Sequence, residues 1–288
     1  MFICKIENGK GNVLTLTQNE SNFQVIQIDG LNPPNAQLIT TSVAGMDGAR
    51  FNSAKLETRN VVIYLKLNND AEENRIMLYK YFSTKDWCKF YYKNDHRDVY
   101  IECYVQTVEV TPFSENEIMQ ISLLCPQPYF KDIDEIIDDI SKVIAGFKFP
   151  FSINNGSPIP ISTFDTNKVT VIKNSSESET GVTIEIDVLK AINKVFIRNT
   201  ITGESMVINN SSGFQSGDVI TITTHIGEKS VSLMRNGSKT NLFSKLQAGF
   251  KFFQLSLGDN RFTYQIDNGS HDDYVKIEFK HRSMYRGV

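Results

Sequence analysis

The chain has 288 residues, of which 40% are hydrophobic and 22% charged, and its formal net charge is -3. This length is enough for one large domain or two ordinary ones, and the composition is that of a globular protein. The slight negative charge argues against sequence-independent nucleic-acid binding, and no apolar run reaches the roughly 20 residues that cross a bilayer. The N-terminal residues lack the pattern of a signal peptide, so we expect a protein that is made and kept in a cytoplasm.

The chain opens with patterns typical of three β-strands. Residues 2–6 and 13–16 flank a turn at Asn8-Gly9, which predicts a hairpin. Residues 23–28 predict the third strand, which ends at an Asp-Gly turn.

A long polar segment follows, over residues 31–53. Segments of this length in a compact domain are usually functional or lie against a partner, and a solvated hairpin tip is the alternative. Its candidate contact residues are Met46, Asp47, Arg50 and Phe51. Arginine and aromatic residues are enriched in interface cores, so we expect this segment to contact a second copy of the chain.

A regular strand and a helix come next. Residues 59–67 alternate between apolar and polar side chains, which indicates a half-buried strand. The helix after it begins at Asp70, with Glu73 in the capping-box position. A second hairpin ends in a strand at residues 99–110, where the apolar phase changes near Gln106 and predicts a bulge.

The strand pattern at residues 118–125 closes this first region. Pro126 and Pro128 then remove two backbone donors, so strand pairing has to stop there. We therefore predict three parts of the chain: a first domain over residues 1–130, a linker over residues 131–150, and a second domain over residues 151–288.

The conformation of residues 132–146 stays open between two interpretations. Isoleucine and valine at helical spacing, with a glycine at the end, predict a short amphipathic helix. The β-branched content also fits an extended chain.

From residue 152 onward, short apolar strands alternate with glycine turns, a pattern typical of an antiparallel sandwich. The predicted fold class is thus mainly β with one or two helices. The first domain is expected to be an α+β unit built on a β-sandwich or split barrel, and the second an antiparallel β-sandwich.

Signatures of catalysis and of cofactor binding are missing from the sequence. No phosphate-binding glycine loop and no Gly-x-Ser-x-Gly motif occurs. The four cysteines form no CxxC pair, and the four histidines are scattered. We therefore expect no enzyme, no catalytic residue, no metal site and no cofactor.

Short motifs along nearly the whole chain resemble those of phage distal tail proteins. Those in the first half are Ile28-Asp-Gly-Leu-Asn-Pro-Pro34, Met46-Asp-Gly-Ala-Arg-Phe-Asn-Ser53, Arg59-Asn-Val-Val-Ile63 and Cys125-Pro-Gln-Pro-Tyr-Phe130. Those in the second half include Phe147-Lys-Phe-Pro-Phe151, Ile197-Arg-Asn-Thr-Ile-Thr-Gly-Glu204 and Ser216-Gly-Asp-Val-Ile-Thr-Ile222. The motifs follow one another in the family's order, and this order makes the resemblance specific.

The resemblance implies a homo-hexameric ring at the virion tail tip, assembled in the bacterial host cytoplasm. Its first domains would surround a channel through which genomic DNA passes without specific binding, and its second domains would be galectin-like sandwiches that project outward. The ring would join the tail tube protein to a tail-associated lysin or tail fibre hub and to receptor-binding proteins, without touching a membrane. The candidate subunit-interface residues are then Met46, Asp47, Arg50, Phe51 and Arg59.

Three alternatives stand beside this function. A carbohydrate-binding, lectin-like module fits a galectin-like sandwich, but the only tryptophan, Trp87, lies in the first domain. A tail-associated hydrolase predicts a convergent catalytic constellation, which the sequence does not offer. The equivalent baseplate component of a contractile tail or of a phage-tail-like bacteriocin stays open.

Overall fold

The computed structural model describes residues 2–17, 22–45, 47–111, 117–140, 169–267 and 274–288. Within these ranges the chain is mostly antiparallel β-structure with one α-helix, which confirms the predicted fold class. The chain divides into two compact units, the first made of Met1–Asp134 and Met284–Val288 and the second of Glu135–Ser283.

The first unit holds the elements of the N-terminal half and one short strand from the end of the chain. Its strands and helix are β1 (Ile3–Asn8), β2 (Val13–Leu16), β3 (Phe23–Asp29), β4 (Ala36–Thr41), β5 (Arg50–Leu56), β6 (Arg59–Leu67), α1 (Ala71–Tyr81), β7 (Trp87–Lys93), β8 (Asp98–Val110), β9 (Ile118–Cys125) and β10 (Phe130–Asp132). The terminal strand is β21 (Met284–Tyr285), which pairs with β10.

One large sheet forms the body of this unit, with the strand order β2-β1-β7-β8-β9-β6-β3. The two ends of this path are linked by a backbone hydrogen bond, which the Val25 amide donates to the Thr17 carbonyl oxygen at 3.1 Å. The sheet therefore curls back on itself around an apolar core. Strict alternation buries Val61, Ile63 and Leu65 of β6 completely, as the sequence pattern predicts.

The predicted bulge near Gln106 is present. The register between β8 and β9 shifts between Val105 and Thr107, so one residue of β8 has no direct partner. This shift changes which side chains face the core, and it explains the change of apolar phase in the sequence.

The start of α1 differs in detail from the predicted capping box. Asp70 has a left-handed backbone with φ of 42°, and its side chain makes no capping hydrogen bond. The buried Asn74 side chain instead donates to the carbonyl oxygens of Asn22 (3.1 Å), Asn68 (3.1 Å) and Asn69 (2.6 Å). A side chain of the helix itself thus holds the turn before the helix in place.

The second unit is a two-sheet sandwich. Its strands are β11 (Ile136–Asp139), β12 (Thr170–Asn174), β13 (Thr183–Val188), β14 (Ile192–Asn199), β15 (Ser205–Phe214), β16 (Val219–Thr223), β17 (Ser230–Arg235), β18 (Ser238–Asn241), β19 (Gly258–Ile266) and β20 (Val275–His281). One sheet has the order β11-β20-β13-β16-β17-β18 and the other the order β12-β19-β14-β15. Both sheets contribute to a single apolar core that includes Phe253, Phe262 and Phe279.

The helical interpretation of residues 132–146 is wrong for the part that the structure describes. The chain is extended through β10 and β11, and Ile136 pairs with His281 at the edge of the second sandwich. The buried Ile140 donates its amide to the Ile277 carbonyl oxygen at 3.0 Å. β-branched side chains fit a pleated surface better than a helix, so their content was the more informative signal.

The described residues also differ from the expected domain limits at both ends of the second domain. Glu135 already belongs to the second unit, and Met284–Val288 return to the first. The remainder of the expected linker and the first residues of the expected second domain, 141–168, lie outside the described residues.

Asp218 is a buried carboxylate that the second unit holds at the start of β16. It accepts hydrogen bonds from the Arg235 Nε (2.7 Å) and from the Gln215 amide (2.7 Å). Bonding to Arg235, followed by the Gln215 amide, lowers the pKa of Asp218. We expect Asp218→Asn to reduce the free energy of unfolding of this unit by about 2 kcal/mol at pH 7, measured by urea unfolding.

The effect of this substitution depends on pH. Because the folded-state pKa of Asp218 lies below its unfolded value, the carboxylate stabilises the fold above about pH 4, and this contribution is lost as the pH falls through the folded pKa. The difference between wild type and variant should therefore shrink in acid. Asp259→Asn, at an exposed position of β19, is the control and should cost under about 0.5 kcal/mol. A loss of unfolding free energy of the same size at pH 7 and in acid would contradict a stabilising role of the ionised Asp218 carboxylate.

Candidate subunit interface

β4 and β5 form a two-stranded sheet of their own, apart from the main sheet of the first unit. The register runs from Ala36 opposite Leu56 to Thr41 opposite Arg50, with a shift between Ile39 and Thr40. A further backbone bond, from the Glu57 amide to the Asn35 carbonyl oxygen (2.9 Å), closes the hairpin at its base. We call residues 35–57 the arm.

The arm exposes almost all of its side chains. Each residue of β4 and β5 is exposed except Leu56, which is half-buried. Among the exposed side chains are apolar ones: Leu38 at 62%, Phe51 at 60% and Ile39 at 45% of their full area. A single hairpin is at best marginally stable in water, and neighbouring exposed apolar side chains mark interaction sites. The arm thus has the properties of a segment that is covered by a partner.

The structure brings most of the predicted contact residues together on the arm. Arg50 and Phe51 open β5, opposite Thr41 and Thr40, and both are exposed. Asp47 lies in the turn between the strands and is also exposed. Met46 lies outside the described residues. Leu38, Ile39 and Val43 are further exposed apolar side chains of the arm, which were not among the residues predicted from the sequence.

Arg59 has a different place from the one expected of an interface residue. It is only 3% exposed, and its guanidinium lies 4.6 Å from the centre of the Phe130 ring. It donates from Nε to the Pro128 carbonyl oxygen (2.8 Å) and from Nη1 to the Asn32 carbonyl oxygen (2.6 Å). Burial lowers its pKa. Arg59 is therefore engaged inside the unit and is not available to a neighbouring subunit.

The cysteines are placed as small core residues. All four are buried, and the Sγ atoms of Cys88 and Cys103 lie 3.3 Å apart on neighbouring strands. Burial raises the pKa of Cys4 to about 12, which suppresses the reactive thiolate.

The part of the chain that the structure describes has neither a cluster of metal-ligating side chains nor a membrane-spanning helix. No group of three or more His, Cys, Asp or Glu side chains is arranged to hold a metal ion there. No helix in the same ranges has the length and apolar character needed to cross a bilayer.

Two family models match the chain one after the other. The model of the phage tail protein RIFT-related domain matches residues 11–125, and the model of the siphovirus-type tail component, C-terminal domain, matches residues 175–282. The first match contains the arm. No curated protein matches the chain.

Solved structures share the fold along the whole chain. SPP1 Dit, described as a paradigm of the hub adsorption apparatus in phages that infect Gram-positive bacteria, matches with a TM-score of 0.68 at 12% identity, over 98% of this chain and 99% of its own. A chain of the phage P2 baseplate in its activated conformation with Ca has a TM-score of 0.56 and 15% identity, with 100% of both chains covered. A chain of the phage p2 baseplate with Sr has a TM-score of 0.53 and 16% identity, over 97% of this chain and 98% of its own.

Proposed function

The chain belongs to the phage distal tail protein family and is a structural component of the tail tip, and on that premise we propose that it forms a hexameric ring whose subunit contacts run through the arm. The observation that supports this proposal is the exposure of Leu38, Ile39 and Phe51 on a hairpin that is not part of the main sheet of the first unit. Covering such apolar side chains with a neighbouring copy removes their surface from water, which stabilises the contact.

A closed ring requires a particular kind of interface. In a head-to-tail ring, each subunit presents one surface to the next copy and a different surface to the previous one. An exposed hairpin provides one of these two surfaces, because it can lie on a neighbour without using the neighbour's own hairpin. The exposed Arg50 beside Phe51 adds a forked donor that can bind carboxylate or carbonyl oxygens of that neighbour.

The ring would connect the other parts of the tail. We assign one face to the tail tube protein and the other to a tail-associated lysin or a tail fibre hub, with receptor-binding proteins carried by the second unit. Genomic DNA would pass through the channel, and a chain with net charge -3 offers little general attraction to phosphates. SPP1 Dit is described as a paradigm of the hub adsorption apparatus, which supports this arrangement.

The two units would divide these tasks. We propose that the first unit is the ring-forming domain and that the second, a sandwich with the galectin-like character expected of the family, carries the outer partners. The boundary between them would lie within residues 131–150.

Electron micrographs of the purified full-length chain test the ring directly. We expect class averages with sixfold symmetry and a central opening, either for the protein alone or after addition of tail tubes, because some ring proteins assemble only on the tail. The lectin-like alternative predicts a monomer that binds a glycan saturably. Monomers under both conditions would contradict the proposed ring.

A further inference from the structure

We propose that Arg59 is a positioning residue for the arm. It fastens the two segments at the base of the hairpin, residues 30–34 (the entering leg) and residues 57–59 (the leaving leg), to the returning segment Met284–Val288, and so determines the direction in which the arm leaves the first unit. The consequence for ring assembly rests on the proposed function above. The effect on the arm itself does not.

Arg59 stands where the leaving leg of the arm enters β6, three residues after Leu56. All four of its acceptors are backbone carbonyl oxygens: those of Gly30 and Asn32 on the entering leg, that of Pro128 after β9, and that of Arg286. One guanidinium thus joins both legs of the arm to two other parts of the chain.

The segment Met284–Val288 also contacts the entering leg by itself. The Val288 amide donates to the Leu31 carbonyl oxygen at 3.1 Å. Gly287 lies so close that a Cβ atom added to it would be 3.1 Å from Pro33 Cδ and 3.2 Å from the Leu31 carbonyl oxygen. Such contacts are tighter than most that a Cβ atom makes, so a side chain at position 287 would push against Leu31 and Pro33.

The returning segment is itself held firmly. β21 pairs with β10, and the Tyr285 hydroxyl donates to Asp132 at 3.0 Å. The guanidinium of Arg97 lies 3.9 Å from the centre of the Tyr285 ring. The segment is thus a fixed support, and contacts with it restrict the base of the arm.

The geometry requires arginine and not merely a positive charge. A guanidinium is planar and carries five N–H donors that point in several directions, whereas lysine has three donors on one nitrogen. A lysine at position 59 would keep the charge but could not reach four acceptors on three separate segments at once. Because both strands of the arm are exposed, the arm has few other contacts that could replace these.

Hydrogen exchange of the full-length chain, at a concentration where it is monomeric, tests this role. The variants are Arg59→Lys, Gly287→Val and the two combined, and the control is Arg50→Lys on the arm itself. We expect the amides of β4 and β5 to exchange about tenfold faster in both single variants, while those of β7 and β8 keep their rates. In the double variant, the amides of β4 and β5 should exchange hardly faster than in the faster single variant. Both substitutions remove contacts at the same place, the base of the arm, so their effects are not additive.

The outcomes separate this inference from the proposed function. If the arm exchanges faster in the variants and the ring still forms, the role of Arg59 stands and the arm is not the ring contact. If the exchange of the arm is unchanged in both single variants, or if β7 and β8 accelerate as much as the arm, Arg59 does not position the arm. Gly287→Val alone decides the matter if Arg59→Lys does not fold.

Discussion

Replacing Gly30 by alanine is expected to destabilise the first unit by about 3 kcal/mol or more. Gly30 has a φ of +84°, and a Cβ atom at this position would lie 2.0 Å from the backbone oxygen of Asn60. The backbone of β6 cannot yield by rotating a side chain, so the entering leg of the arm would have to move. Urea unfolding followed by the fluorescence of Trp87, the sole tryptophan, reports on this unit.

Gly45→Ala is the matched control for this prediction. Gly45 has the same φ of +84°, but among the described residues, its chain neighbours aside, no atom lies within 4 Å of the place that its Cβ would take. Only the left-handed backbone is then strained, which costs about 1 kcal/mol. Equal losses of stability in the two variants would show that backbone strain, and not the approach to β6, determines the requirement for glycine at position 30.

The regular strands of both units could be predicted from the sequence because each buries one face. β6 and β13 alternate strictly, and apart from Arg59 their buried residues are those that the pattern marks as apolar. The bulge in β8 was also visible in the sequence, because a shift of one residue exchanges the buried and exposed positions along the strand. Local periodicity was sufficient for these elements.

The arm could be predicted only in part. Its length and its content of glycine and polar residues left open whether it lies against a partner or is a solvated hairpin tip, and they did not indicate the two strands β4 and β5. The reason is physical: both faces of β4 and β5 are exposed, so no alternation marks them as strands. Leu38 and Ile39 were the available signal, as adjacent apolar residues within a polar segment.

Features that depend on distant parts of the chain could not be predicted. The strand β10 pairs with β21, which lies at the opposite end of the sequence, and the extended conformation of residues 132–140 follows from such pairing. Arg59 is buried because carbonyl oxygens from three other segments surround it. A prediction from residue type alone places such an arginine on the surface, since arginine is seldom fully buried without partners.

The double variant Arg50→Ala, Phe51→Ala is expected to abolish ring assembly while leaving the fold intact. Both side chains are exposed in the single chain, so their removal should change the free energy of unfolding by under about 0.5 kcal/mol. In the ring, arginine and aromatic anchors each contribute about 2 kcal/mol or more to a contact. This loss recurs at each contact around the closed ring, and it weakens each one more than tenfold. The measurement is the mass distribution of the full-length protein by sedimentation.

That measurement compares wild type, the double variant and the control Lys239→Ala, Leu257→Ala, which removes one charged and one apolar side chain exposed on the second unit. Tail tubes are added to all three if the wild type requires them. We expect hexamers for wild type and control, and monomers for the arm variant with an unchanged unfolding midpoint by Trp87 fluorescence. Hexamers of the arm variant as abundant as those of wild type, or loss of hexamers in the control alone, would contradict it.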